Sequence, residues 1–268
     1  MKSIITLTTD FGLKDHYVGA MKGVILSINP EAVIVDITHE VPPQDVFCGA
    51  FTLRNAYGYF LRGAIHVVVV DPGVGSERKP IVAEADGNLF VGPDNGVFTF
   101  VYLESSHYRV FEITTPRFML SKISSTFHGR DIFAPVASYL SLGVPITEMG
   151  KEVEDPVRLH IRKPEVKEKE KEVLGEVIYI DSFGNLITNI SPDLLTPYSK
   201  VFIGKRAIDR IAKSYTEVEP GELLAIEGSS GFLEVSVNRG SAAKKLDVKV
   251  GEKVLLFKAL KSKEREST

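Results

Sequence analysis

Apolar positions alternate between two periods along the first third of the chain. Ile4-Ile5-Thr6-Leu7 is a short apolar run that predicts a strand. From Tyr17 to Ile28 the apolar residues Val18, Met21, Ile25 and Ile28 recur at three- and four-residue spacing, which predicts an amphipathic helix ending at Asn29-Pro30. Val33-Ile34-Val35 gives a second strand, and Val46, Ala50, Leu53 and Tyr57 repeat the helical spacing before a continuous apolar run over Ile65 to Val70. Such runs of β-branched residues suit strands covered on both faces, and their alternation with helices predicts a parallel sheet with right-handed crossovers. Further on, Ile81 to Glu84 and Leu89 to Val91 read as a hairpin around Asp86-Gly87-Asn88, and Ile132, Val136, Tyr139 and Leu140 mark a helix with Pro135 in its first turn.

The periodicity changes after Arg162. Between Arg162 and Glu172 the chain has almost no apolar content, and its alternating Lys and Glu neutralise one another, so this stretch reads as a solvated connector. Beyond it come strand-like runs at Leu174 to Ile180, Leu186 to Ile190, Val201 to Ile203, Leu223 to Ile226, Phe232 to Val237 and Val254 to Phe257, punctuated by Gly and Pro. The expected fold class is α/β: an N-terminal α/β domain over 1–162 with a mainly parallel central sheet, and a smaller C-terminal β-barrel-like domain over 173–260. The tail from Lys261 to Thr268 is expected to fray.

Composition narrows the range of partners. Lys and Arg total 32 against 35 for Asp and Glu, a net charge of −3, which gives no electrostatic case for nucleic acid or an anionic membrane. A small-molecule partner is expected instead. The single cysteine, Cys48, lies in a helix-like stretch where packing is its expected role. There is no signal-peptide layout, and no apolar run reaches the roughly 18 residues a membrane span needs, so the expected compartment is the cytoplasm.

Three of the strand-like runs lead into carboxylates, at Asp10, Asp36 and Asp71. Each alone can terminate a strand or cap a turn. Together, at the carboxyl ends of strands in an open sheet, they can accept hydrogen bonds from vicinal hydroxyls, which makes a nucleoside ligand plausible. No Gly-x-Gly-x-x-Gly follows the first strand and no Walker loop is present, which argues against a dinucleotide or nucleoside triphosphate. Pro72-Gly73-Val74-Gly75 is a weak phosphate cradle, because Asp71 ahead of it repels an anion. His128, in Ser125-Thr126-Phe127-His128-Gly129-Arg130-Asp131, stands just before a helix start, where a neutral imidazole can act as a base or hold a water. The alternative is a turn histidine with Asp131 as helix cap. His16, His39, His66, His107 and His160 lack metal-ligand spacing, so no metal is expected. In the second domain Asp181-Ser182-Phe183-Gly184-Asn185 and Glu227-Gly228-Ser229-Ser230-Gly231 offer polar groups, although each, judged separately, fits an ordinary hairpin turn better than a binding site. Tyr215 has a face suited to a purine, although a lone tyrosine is more often filler. Spacing and composition thus lead to a polar crevice for a nucleoside-like molecule.

Several ordered motifs resemble one family over nearly the whole chain. They are Thr8-Thr9-Asp10-Phe11-Gly12, Val70-Asp71-Pro72-Gly73-Val74-Gly75 with Arg78, Pro93-Asp94-Asn95-Gly96, the His128 motif, Ile180-Asp181-Ser182-Phe183-Gly184-Asn185 and Val237-Asn238-Arg239-Gly240-Ser241-Ala242. The chain is similar to the S-adenosylmethionine (SAM) hydroxide adenosyltransferases, or SAM hydrolases, relatives of the fluorinase and chlorinase. That resemblance implies attack of water at C5′ of the SAM ribose, releasing adenosine and L-methionine, with SAM as substrate and no cofactor. It implies a homotrimer with the ligand between the first domain of one subunit and the second of its neighbour. The family's water-handling residues match Asp71, Arg78 and His128, and its ribose-binding aspartate matches Asp10. By position Asp15, His16, Tyr17, Asp181, Ser229 and Ser230 would hold the ribose or methionine part, and Asn185, Tyr215, Val237, Asn238 and Arg239 would surround adenine. Halogenating relatives carry uncharged residues at the positions of Asp71 and His128. Some members prefer the sulfonium epimer opposite to the biological one, which leaves the epimer open.

Overall fold

The computed structural model describes residues 3–169, 171–196, 199–209 and 211–258. Lys261 to Thr268, expected to fray, lie outside the described residues. The chain divides into two compact units, Met1–His160 and Ile161–Thr268.

In the first unit the elements run β1 (Ile4–Thr9), α1 (Tyr17–Ile28), β2 (Val33–Thr38), α2 (Val46–Tyr57), β3 (Ile65–Val69), β4 (Pro80–Ala85), β5 (Asn88–Pro93), α3 (Thr99–Glu104), β6 (Tyr108–Glu112) and α4 (Ala134–Ser141). The strands form one sheet in the order β2-β1-β3-β5-β4-β6. The first four are mutually parallel, and β4 runs antiparallel to β5 and β6. The predicted hairpin closes through Asp86 and Gly87, both at positive φ (48° and 82°), as the right-handed twist of a two-residue turn requires. Neither α3 nor the edge strand β6 was expected, since both are short and neither carries a clear apolar period.

Alternation along β1 and β3 divides the core. Ile5, Leu7, Val67 and Val69 pack with Met21 and Ile25 of α1 and with Val136 and Leu140 of α4. Cys48 is buried on α2. On the α2 face His66 is fully buried, with Thr6 Oγ1 at 2.8 Å from Nδ1 and the Phe90 ring stacked at 5.1 Å. Burial pulls its pKa down to about 4, so His66 is a neutral core residue.

The second unit contains β7 (Glu165–Lys167), β8 (Glu172–Ile180), β9 (Leu186–Thr188), β10 (Lys200–Ile203), β11 (Arg206–Ile208), β12 (Ile211–Ala212), β13 (Leu223–Glu227), β14 (Leu233–Val237), α5 (Ala242–Leu246) and β15 (Lys253–Phe257). Its sheet, ordered β11-β10-β15-β8-β9-β14-β13-β12, curls into a nearly closed barrel around Val177, Leu186, Val201, Val235 and Leu256. One sequence expectation is corrected. The charged stretch after Arg162 is no mere connector, because Glu165–Lys167 pairs antiparallel with Glu172–Leu174 of β8. All three β7 residues are exposed, so the strand carries charge in place of an apolar alternation, as edge strands commonly do. Among the described residues no helix is long and apolar enough to cross a membrane.

Candidate active site

Strand order puts a switch point between β1 and β3: the crossover through α1 leads to one side of β1, and that through α2 leads to the other. Such a point opens a crevice beyond the strand ends. Asp10 directly follows β1, and Asp71 stands two residues beyond β3. Asp36, the third carboxylate of the sequence reading, does not join them. It lies within β2, and its carboxylate pairs with Lys22 Nζ at 2.6 Å and His39 Nε2 at 3.1 Å. Burial works against its charge, but the hydrogen bonds from Lys22 and His39 outweigh that and hold the carboxyl below its usual range. His39 Nδ1 in turn lies 2.9 Å from Thr9 Oγ1, so Asp36 steadies the strand end that carries Asp10.

Asp71 is placed by a rigid joint. The Val70 carbonyl accepts a hydrogen bond from Asn95 Nδ2 at 2.8 Å, which pins the end of the strand. In the loop that follows, the Val74 amide donates to the Asp71 carbonyl and the Ser76 amide to the Gly73 carbonyl. Those two donors are spent within the turn. At Gly75, φ is +77°, and a Cβ there would lie 2.2 Å from the Ser125 carbonyl oxygen. Only glycine lets this loop abut the one that carries His128.

That approach assembles a three-residue cluster. Arg78 grips Asp71 through two hydrogen bonds, Nε to Oδ1 at 2.9 Å and Nη2 to Oδ2, with the side chains only 9% and 5% exposed. Arg78 Nη2 also lies 2.8 Å from His128 Nδ1. A guanidinium can only donate, so Nδ1 is the acceptor and a neutral His128 carries its proton on Nε2. Burial, seconded by the Arg78 charge, lowers the His128 pKa and favours that neutral form. A π-helical turn, Gly129–Phe133, follows directly and leads into α4. Asp131 does not cap this helix. It is fully buried, held by Arg130 Nε at 2.6 Å, and accepts the Ser124 amide at 2.8 Å, which fixes the loop on the near side of His128.

Asp10, Asp71 and His128 line a cleft of about 360 Å³. One wall is aromatic: Phe11 and Phe127 lie 5.6 and 5.1 Å from Tyr17 between ring centroids. Gln44 completes the rim, its amide donating to Asp10 Oδ2 at 2.8 Å from a left-handed backbone (φ 67°). Strain of this kind in a non-glycine residue gathers at functional sites. Sequence reasoning assigned no role to Phe11, Gln44 or Phe127. Phe11 and Phe127 sat inside quoted motifs beside the acidic and histidine positions, whereas nothing in Pro42-Pro43-Gln44-Asp45 marked the glutamine. Asp15 and His16 are exposed on the loop before α1 and do not line the cleft, although His16 packs against Tyr17 at 4.6 Å.

In the second unit the remaining candidates cluster at turns. Asp181 is occupied by its own turn: Oδ1 accepts the Phe183 and Asn185 amides, and Oδ2 accepts Asn185 Nδ2 at 2.8 Å. Ser229, exposed, and Ser230, half-buried, form the β13–β14 turn. Val237 ends β14, and Asn238 Nδ2 donates to the Val218 carbonyl at 2.7 Å, while Arg239 is exposed at positive φ. Tyr215 Oη donates to Glu234 Oε1 at 2.7 Å. Among the described residues no group of His, Cys, Asp and Glu side chains could hold a metal ion.

A charged cluster at the switch point of a mixed sheet, joined in sequence to a small β-barrel, defines a two-domain α/β protein with a small-molecule cleft. The SAM hydroxide adenosyltransferase N-terminal domain matches residues 5–150 and the C-terminal domain of the same family matches residues 175–255, so the chain belongs to that family. An (R)-S-adenosyl-L-methionine hydrolase from Salinispora tropica is 39% identical over 251 residues, covering 93% of this chain and 96% of the relative. A fluorinase from Nocardia brasiliensis is 27% identical over 289 residues, covering 93% and 95%. The crystal structure of an uncharacterized conserved protein from Thermotoga maritima aligns with a TM-score of 0.88 at 41% identity, covering 96% of this chain and all of that one.

Proposed function

We propose that the protein hydrolyses SAM, as the (R)-sulfonium epimer, to adenosine and L-methionine. The observation that carries this reading is the half-buried Asp71–Arg78–His128 cluster beside a cleft that also holds Asp10. A sulfonium leaves as a neutral thioether and needs no acid, so the protein's task is to align one water with the C5′–S bond and take its proton. Of the three clustered groups only Asp71 can accept that proton: Arg78 has no acceptor, and His128 has committed Nδ1 to Arg78 and carries hydrogen on Nε2. The water oxygen bonds to C5′ as the C5′–S bond breaks, its electron pair goes to sulfur, and the released proton goes to Asp71. Nε2–H orients the water, and the Arg78 charge offsets the developing hydroxide. Asp10, with Oδ2 held by Gln44, has lone pairs for the ribose hydroxyls. The active form is a homotrimer, in which Asp181, Asn185, Tyr215, Ser229, Ser230 and Val237 to Arg239 of a neighbouring subunit complete the substrate contacts.

The membership of a fluorinase among the relatives makes halide the rival nucleophile, and Asp71 disfavours it, since a carboxylate repels chloride or fluoride. Chromatography of each separated SAM epimer after incubation with the protein, with and without chloride, tests the reading. Adenosine and methionine in equal amounts, faster from the (R) epimer, are expected. A 5′-chlorinated nucleoside would make the protein a halogenase. Tight binding without any product from either epimer would make it a sensor.

A further inference from the structure

Glu234 is a buried acidic residue on the face of β14 opposite the barrel core. It sits on β14 between Leu233 and Val235, both fully buried, and is itself 5% exposed. Among the described residues no lysine or arginine pairs with it. Two hydroxyls serve it instead, Tyr215 Oη at 2.7 Å and Ser236 Oγ at 2.6 Å, both donating to Oε1. Burying a carboxylate costs stability, and an apolar side chain of similar size is commonly as good or better at such a site. What a carboxylate adds is a fixed, directional acceptor.

That acceptor is spent on the Tyr215 ring. Tyr215 opens a short 3₁₀ turn, Tyr215–Glu217, and remains 43% exposed although its hydroxyl is anchored. Burial and the Glu234 hydrogen bond push its phenol up to about 12, so it stays a donor throughout the physiological range. The other end of the segment is tied as well, by the Asn238 amide on the Val218 carbonyl. Both anchors come from β14 or the residue just after it, so the turn and the strand hold the ring at one end and leave its face open.

We infer that Glu234 is a positioning residue, which holds Tyr215 as a fixed aromatic wall for the purine of the substrate. The inference rests on the reading of the protein as a SAM hydrolase and deepens it: purine recognition depends on a hydrogen-bonded Tyr215–Glu234 pair. A ring fixed before binding need not be immobilised by the ligand, and that saving belongs to substrate affinity and not to the chemical step.

Steady-state kinetics on E234A, E234Q, Y215F and the double variant E234A/Y215F test this. E234A and Y215F should each raise KM for SAM about tenfold with kcat within about twofold of wild type. The double variant should be no worse than either single one, because all three lose the same bond. E234Q, whose amide oxygen still accepts the Tyr215 hydroxyl, should stay near wild type in KM, and with Y215F it carries the test if E234A does not fold. The chain has no tryptophan, so ultraviolet-difference titration reads tyrosine alone, and E234A should shift one late-ionising tyrosine to lower pH. An unchanged KM in both single variants, an effect confined to kcat, or additive losses in the double variant would overturn the inference. Absence of turnover by the wild-type protein with either SAM epimer would overturn the functional reading instead, a result that the same assay separates from the first.

Discussion

Replacing Asp71 with asparagine is expected to lower kcat for SAM hydrolysis by about 10²–10⁴-fold, the range that removing a general base usually costs. Asparagine keeps the shape and one oxygen to accept from Arg78, but its amide has no basic oxygen for the proton of the attacking water. The choice of variant follows from burial. Asp71 and Arg78 are 5% and 9% exposed at their side chains, so alanine would strand a buried guanidinium, a change that typically costs about 3–5 kcal/mol and threatens the fold. Asp71→Asn should therefore melt close to wild type, bind adenosine with similar affinity in calorimetry, and fail in turnover. Wild-type turnover in a folded Asp71→Asn protein would remove the carboxylate from the mechanism.

The second large effect belongs to His128. Asparagine at this position presents its side-chain oxygen about where Nδ1 stands, so His128→Asn keeps the acceptor for Arg78 and loses the Nε2–H that orients water. A fall of roughly 10²-fold in kcat is expected, smaller than for Asp71 because the proton acceptor survives. The pH profile gives an independent readout. Burial first, and the Arg78 charge second, set the His128 pKa below the usual value, and protonation would put a hydrogen on the nitrogen that accepts from Arg78. Activity should thus be on its plateau at pH 7 and fall only as the pH drops below about 6.5, the ordinary histidine value. His128→Asn should flatten that acid limb. A limb centred at or above 6.5, or one that persists in the variant, would contradict the assignment.

The first unit was legible because its signals were local. Val18, Met21, Ile25 and Ile28 marked α1 to its last residue, and the β-branched run before Asp71 marked a doubly covered strand whose end is a natural place for a site. The parity of Asp10, Asp36 and Asp71 was deceptive, since carboxylates at similar places in similar runs do not share a crevice. Strand order decides that, and β2 lies on the far side of β1 from β3. Asp36 accordingly pairs with Lys22 and His39. Gln44 was invisible for a related reason: its backbone amide, not its side chain, holds Asp10. The charged segment at Glu165–Lys167 hid a strand because its pairing with β8 depends on backbone hydrogen bonds, to which side-chain pattern gives no clue. Glu234 followed the same logic from the other direction, a polar letter inside a strand whose hydroxyl partners on Tyr215 and Ser236 become apparent only after folding.

Turnover of SAM in ¹⁸O-labelled water, with mass spectrometry of both products, tests the central claim most directly. Attack of a protein-held water at C5′ places the label in the 5′-hydroxyl of adenosine and leaves methionine unlabelled. Label in the amino-acid product, or methylthioadenosine in place of adenosine, would mean that the bond broken is not C5′–S and would contradict the account.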